Sequence, residues 1–179
     1  MANDLPAHTR IQPHLGTFVS ITVHSRDPVA ARRAIDAAVG EIRAIDQLLS
    51  IHRPDSELAI LNKTAAAGPA IASPELFAAL QSAQEISRQT SGAFDPTIRP
   101  LADLWGFIKK EGYRLPRPDE LCAVLPRVDY RKVSIRNNRL HFATPGMSID
   151  SGGFGKGYAV DRAIAALQRH GIAHALVKA

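Results

Sequence analysis

A chain of 179 residues is long enough for one sizeable core or for two small lobes. Its 45% hydrophobic and 22% charged residues are ordinary for a globular protein, and no apolar run reaches the length of a transmembrane helix. The single cysteine excludes an internal disulfide framework and a cysteine-based zinc site. The net charge of +5 is scattered without a basic block or interleaved aromatics, which argues against nucleic acid and for small anionic ligands.

The start, Met1-Ala-Asn-Asp-Leu-Pro6, has neither a basic nor an apolar leader region, so no signal peptide is read and the chain as written is expected to stay in the cytoplasm, with a periplasmic or membrane-anchored place as the alternative. Residues 1–14 are set apart as an N-terminal extension. Residues 17–24 alternate, with Val19, Ile21 and Val23 on one face and Phe18, Ser20 and Thr22 on the other, as in a strand with one buried side. Asp27-Pro28 opens a helix running to about Leu49, with Ile35, Val39, Ile42, Ile45 and Leu49 as its core stripe. Ser56, Glu57, Leu58 and Leu61 fit a short capped helix.

Ser73-Pro74-Glu75 starts a further helix with an N-cap, a first-turn proline and an acid at the positive end, and Phe77, Leu80 and Ile86 are expected to face inward. Cys122 lies in a short apolar-faced segment and reads as a small packed residue. Residues 133–142 read as a hairpin turning at Asn137-Asn138, because asparagine tolerates left-handed geometry. A strand over 147–149 is expected to deliver Asp150 to a glycine-dense turn. A helix follows from about Lys156 to His170, with Gly171 just past its end and a strand beginning near His174.

The densest chemistry lies in Asp150-Ser-Gly-Gly-Phe-Gly-Lys-Gly-Tyr-Ala-Val-Asp161. Its glycines permit positive φ and let backbone approach a ligand, and a helix N-terminus there favours anions. Lys156 can place a point charge on a phosphate; Asp150 can bind a ribose hydroxyl, an amide or a metal. The spacing is neither that of the dinucleotide fingerprint nor that of the P-loop. Three further segments stand out. Leu15-Gly16-Thr17 can be a plain strand entry. His52 and Arg53 sit in a loop, where a side chain is either solvated or able to reach a ligand. Ser91-Gly-Ala-Phe-Asp-Pro-Thr97 holds a turn whose carboxylate and hydroxyl can bind a ligand or cap backbone, while Phe94, Trp105 and Phe107 either pack as core or flank a planar ring.

Taken in order, four landmarks resemble the ApbE family of FAD:protein FMN transferases, once described as thiamine-biosynthesis lipoproteins. They are Leu15-Gly-Thr17; Ser56-Glu-Leu58 with Leu61-Asn62; Gly92-Ala-Phe-Asp-Pro-Thr97 with Pro100-Leu101 and Trp105-Gly-Phe107; and the segment from Asp150 to Asp161. The resemblance runs from about Leu15 to the last residue. It implies an α+β fold of antiparallel strands with packed helices, with the C-terminal part of the family fold outside the 179 residues. It also implies Mg²⁺-dependent transfer of the FMN phosphoryl group from FAD to a threonine or serine of a target flavoprotein, with release of AMP.

Carried over position by position, the resemblance implies FAD contacts at Leu15, His52, Ala93, Phe94, Asp95, Asp150 and Lys156, and a metal-binding backbone carbonyl at Gly153. Leu15 replaces a common methionine, and Ser151 and Phe154 replace common leucine and isoleucine, changes of shape without loss of charge. The family's carboxylate and hydroxyl metal ligands, and its proposed catalytic base, are expected beyond the matched stretch. The second expectation is therefore a catalytically inactive flavin-binding remnant. Phosphoryl transfer chiefly needs positioning and charge neutralisation at the phosphates, which a lysine, helix-start amides and a metal supply.

Overall fold

The computed structural model describes residues 5–65, 67–108 and 112–179. They form two compact units, one made of the residues up to Ser50 together with Phe154–Ala179, the other of Ile51–Gly153.

In the first unit, β1 (Ala7–His14) and β2 (Thr17–His24) form an antiparallel hairpin whose register runs from His14 opposite Thr17 to Ala7 opposite His24. The two-residue turn is Leu15-Gly16, both left-handed at φ 55° and 69°, the geometry that matches strand twist in a tight hairpin. The segment set apart as an extension thus contributes an edge strand over 7–14. The residues it turns toward the inner face of β2, His8, Arg10 and Gln12, are all polar, so no apolar core stripe marks it as a strand; pairing with β2 creates it. On β2 the expected alternation holds, with Val19, Ile21 and Val23 at most 3% exposed.

Helix α1 (Pro28–Leu49) begins where expected, the Asp27 carboxylate accepting from the Val29 and Ala30 amides. Its stripe of Ala31, Ala34, Ile35, Ala38, Val39 and Ile42 shares one buried cluster with the inner face of β2 and with Ala163, Ala166 and Leu167 of α6 (Gly155–Arg169). Alanine on both helices lets them approach closely. Glu41 on α1 holds them together from the side, accepting from Arg162 at 3.1 Å and Arg169 at 2.6 Å. Gly171 follows α6 at φ 74°, and β6 (Ala175–Lys178) pairs antiparallel with β2, giving the order β1-β2-β6.

In the second unit, α2 (Glu57–Thr64) is capped by Ser56, whose hydroxyl accepts from the Ala59 amide. Strand β3 (Ala70–Ile71) precedes α3 (Pro74–Gln89), which Ser73 caps as expected. The inward face of α3 is Leu76, Ala79, Leu80, Ala83 and Ser87. Ile86 points outward and is 41% exposed, while Phe77 is half-buried. The stripe through Leu76 and Leu80 uses the small residues Ala79, Ala83 and Ser87, and this rotates Ile86 away. Helices α4 (Arg99–Leu104) and α5 (Pro118–Val124) are short, and α5 buries none of its residues, so Cys122 is exposed rather than packed.

The predicted hairpin is present as β4 (Val133–Arg136) and β5 (Arg139–Phe142), with Asn137 and Asn138 at φ 51° and 57°. With β3 they make a second antiparallel sheet, ordered β3-β5-β4. Among the described residues no helix is long and apolar enough to cross a membrane.

At the start of α5 the Glu120 carboxylate accepts from both Arg114 guanidinium nitrogens, at 2.6 and 2.7 Å, and from the Arg117 amide at 2.9 Å. The hydrogen bonds from Arg114, then that from the Arg117 amide, lower its pKa from 4.5 to about 2. A depressed carboxyl stabilises the fold above its unfolded pKa and loses that effect as pH falls through the folded one. The capped turn is accordingly expected to persist from neutral pH past 4.5 and to open only towards about pH 2. A side-chain carboxyl NMR titration of Glu120 checks this; a midpoint near 4.5 shows the clamp absent in solution.

Candidate functional site

The geometry around Asp150 starts at the end of α3. Thr90 caps the helix, the Ser91 amide returns to the Arg88 carbonyl and the Gly92 amide to the Ser87 carbonyl, a pair of bonds that reverses the chain. Ser91 takes the left-handed conformation usually reserved for glycine, at φ 53°, followed by Gly92 at 84°. This turn aims Ala93-Phe94-Asp95 away from the helix axis. Ala93 is exposed and Phe94 half-buried.

Asp95 then locks the segment. One carboxylate oxygen accepts from the Thr97 amide at 2.8 Å and the Thr97 hydroxyl at 2.6 Å; the other accepts from the Tyr130 amide at 2.9 Å. The fully buried Thr97 hydroxyl accepts in turn from the Asp129 amide at 2.8 Å. Of the two roles open to the Asp95 carboxylate, the geometry uses it to cap backbone.

The stretch before Asp150 is not a strand, contrary to the expectation for 147–149. No ladder is available because a side chain has taken its place. Asn62 on α2 donates to the Ile149 carbonyl and accepts from the Ile149 amide, both at 2.8 Å. The next amide, of Asp150, donates to the Pro96 carbonyl at 2.7 Å. The Asp95 turn and the Asp150 turn are thereby stitched together.

Asp150 is 9% exposed, and its carboxylate accepts from the Gly152 amide at 2.6 Å. Among Gly152, Gly153, Gly155 and Gly157 none has a positive φ, so the glycines do not serve unusual backbone angles as expected. Two of them serve close approach instead. A Cβ on Gly152 would lie 2.8 Å from an Asp150 carboxylate oxygen, and one on Gly153 would lie 2.9 Å from Phe94 Cε2. The Phe94 ring therefore lies against the Gly153 backbone, which joins the Ala93–Asp95 triplet to the glycine segment.

His52 is exposed and lines a cleft of about 380 Å³ with Asn62, Lys63, Arg99, Asp103 and Ser148. Arg99 pairs with Asp103 at 3.0 Å. Asn62, Lys63 and Arg99 carry no periodicity signal that marks them as site residues; only the packing of α2 and α4 brings them to His52. Trp105 and Phe107 stack on each other with centroids 6.1 Å apart. Among the described residues no three His, Cys, Asp or Glu side chains come together as a metal-binding group.

Leu15 and Lys156 belong to the first unit. Leu15 is half-buried at the hairpin turn and packs on that unit's core. Lys156 is exposed in the first turn of α6, a helix start with no side-chain cap, so its amides and the lysine ammonium make a positive end. Among the described residues Lys156 has no ion-pair partner.

A model of the ApbE family matches residues 15–179. A FAD:protein FMN transferase of Treponema pallidum is 30% identical over 178 residues, covering 95% of this chain and 49% of that protein. One of Escherichia coli is 26% identical over 168 residues, covering 91% and 48%. The crystal structure of the ApbE protein of Thermotoga maritima superposes with a TM-score of 0.86 at 28% identity, over 97% of this chain and 56% of that one. The apo flavinyl transferase ApbE of Pseudomonas stutzeri gives 0.88 at 26% identity, over 97% and 58%. The chain spans about half the length of the curated relatives it matches.

Proposed function

The chain belongs to the ApbE family, and from that premise we propose that it carries the flavin-facing part of a FAD:protein FMN transferase. In this reading a threonine or serine hydroxyl of a target flavoprotein attacks the FMN-side phosphorus of FAD. The pyrophosphate P–O bond breaks, AMP leaves with the bridging oxygen, and the hydroxyl proton is lost. The observation that carries the reading is the convergence of Phe94, Gly153 and Asp150 through the Asp150 amide and the Pro96 carbonyl.

The residues divide the work by chemistry. Asp150, low in exposure and held by the Gly152 amide, offers a fixed acceptor for a hydroxyl or amide of FAD. Phe94 and His52 offer surfaces for the planar ring, and a flavin contact at Leu15 rests on the family resemblance alone. Asp95 fixes the backbone that presents Phe94. Lys156 and the uncapped amides of α6 neutralise phosphate charge, which is where phosphoryl transfer gains most.

Magnesium dependence is part of the proposal on the strength of the family resemblance alone. Mg²⁺ demands near-octahedral oxygen coordination. The Gly153 carbonyl with one neighbouring carboxylate does not complete such a site.

The test is a titration of FAD into the 179-residue chain, followed by flavin fluorescence, with and without Mg²⁺. Micromolar binding is expected, weakened about tenfold by Lys156→Ala if the lysine meets a phosphate (roughly 1.4 kcal/mol, as for one charge-assisted contact). Unchanged affinity in that variant removes the phosphate role, and absent binding by a folded chain removes the flavin reading. The alternative reading is a flavin-binding protein without turnover. Binding without AMP release in the presence of an acceptor protein would select it.

A further inference from the structure

We propose that the cleft beside His52 receives an acidic side chain of the polypeptide that accepts FMN, held between Lys63 and Arg99. Naming the occupant as the acceptor rests on the flavin-transfer reading; the charge and shape of the cleft do not. All of its lining residues belong to the unit Ile51–Gly153.

Two short helices build its walls. On α2, Ala59, Asn62 and Lys63 stand at i, i+3 and i+4 and so share one face; on α4, Arg99 and Asp103 do the same at i and i+4. The volume of about 380 Å³ admits a side chain with some flanking backbone and lies near the lower bound of the roughly 300–1,000 Å³ of small-ligand sites. Asn62 is a wall rather than a ligand group, since its amide already serves both backbone groups of Ile149.

The charges that remain are two cations and one acid. Arg99 gives its Nε to the Asp103 carboxylate at 3.0 Å. Its two terminal nitrogens make no hydrogen bond among the described residues, and Lys63 has no ion-pair partner among them. The Arg99 side chain is only 19% exposed, whereas Asp103 is 46% exposed. A guanidinium so far withdrawn from water, with its terminal nitrogens unused, is a pre-set acceptor site for a planar carboxylate. The excess of one positive charge matches one such group.

A phosphate would answer the same charge, but the surroundings favour a polypeptide. Helix α4 runs directly into Trp105, which stacks on Phe107 with centroids 6.1 Å apart; Tyr113 leans on Phe107 at 5.9 Å. Phe107 is 57% and Tyr113 60% exposed. Exposed aromatics carried on the same helix as a half-satisfied arginine are the composition of a protein-binding hot spot, and a small anion makes no use of them.

The test titrates a fluorescein-labelled Glu-Ala repeat peptide into the 179-residue chain without FAD, followed by anisotropy, beside the matching Gln-Ala peptide and inorganic phosphate. The Glu-Ala peptide is expected to bind, and the Gln-Ala peptide to bind about tenfold more weakly, as for one lost charge-assisted contact. Lys63→Gln and Arg99→Gln should each weaken the acidic peptide by a similar factor. Arg136→Gln, which removes the same charge from an exposed position in the same unit, should not. Phe107→Ala should weaken the peptide and leave phosphate unaffected. Circular dichroism checks each fold, and the exposed Lys63 keeps the test open if Arg99→Gln does not fold. Equal binding of the two peptides, or equal loss in Arg136→Gln, overturns the proposal. Phosphate that displaces the peptide while Phe107→Ala changes nothing overturns it too, as does FAD affinity falling in step in the Lys63 and Arg99 variants, because the cations then serve a phosphate. A chain that binds FAD but not the acidic peptide removes this site alone; one that binds the peptide but not FAD keeps the acidic-polypeptide site and removes the flavin reading.

Discussion

Asn62→Ala is expected to lower the stability of the chain by about 2–4 kcal/mol, because two buried backbone groups lose their partners at once, each worth roughly 1–3 kcal/mol. Ile149 is 1% exposed, so water cannot replace the amide that served its N–H and C=O. Urea denaturation monitored by circular dichroism measures the change. Asn62→Asp separates the two bonds, since it keeps the acceptor for the Ile149 amide and loses the donor to the Ile149 carbonyl. It should fall between wild type and alanine. Both substitutions should weaken FAD binding beyond the loss of folded protein, because the Asp150 backbone is released. An alanine variant within about 0.5 kcal/mol of wild type, the range of ordinary surface changes, would show that Asn62 does not hold the segment.

The second large effect is at Asp95. Asp95→Asn removes one of two acceptor oxygens and presents an NH₂ to a backbone or hydroxyl donor, so at least one of the three bonds to Thr97 and Tyr130 is lost. Bonds to a charged acceptor are stronger than neutral ones, and a cost of about 2–3 kcal/mol is expected. The loss should spread, because the Thr97 hydroxyl that Asp95 orients is also the acceptor for the Asp129 amide. Differential scanning calorimetry beside the FAD titration tells two roles apart. A lowered Tm with flavin affinity reduced in step assigns Asp95 to the turn. An unchanged Tm with lost affinity assigns it to direct contact with FAD.

These two residues mark where sequence reading succeeds and where it stops. Asp95-Pro96-Thr97 is legible as a turn because an aspartate before proline makes its own local bonds. The same letters do not reveal that Tyr130, 35 positions later, takes the second oxygen. Asn62 is visible as part of a landmark, yet its partner lies 87 residues away and nothing local points to it. Gly152 and Gly153 are legible as glycines with a purpose. Their purpose, room for the Asp150 carboxylate and the Phe94 ring, is a matter of what folds against them.

Elements whose signals are local were legible without the fold. Capped helices at Asp27, Ser56 and Ser73, the Asn137-Asn138 hairpin, the alternation of β2 and the stop at Gly171 each follow from side-chain bonds, periodicity or φ preference within a few residues. The ApbE landmarks, being contiguous motifs, were legible in the same way. Only the packed fold settles β1, whose inward-facing residues are polar and which exists by pairing with β2. It alone decided that 147–149 is pinned by a side chain rather than laddered, and that Ile86 turns outward. The physical reason is common to these cases: hydrogen bonds and burial between residues far apart in sequence are set by which surfaces meet, and that information is spread over the whole chain.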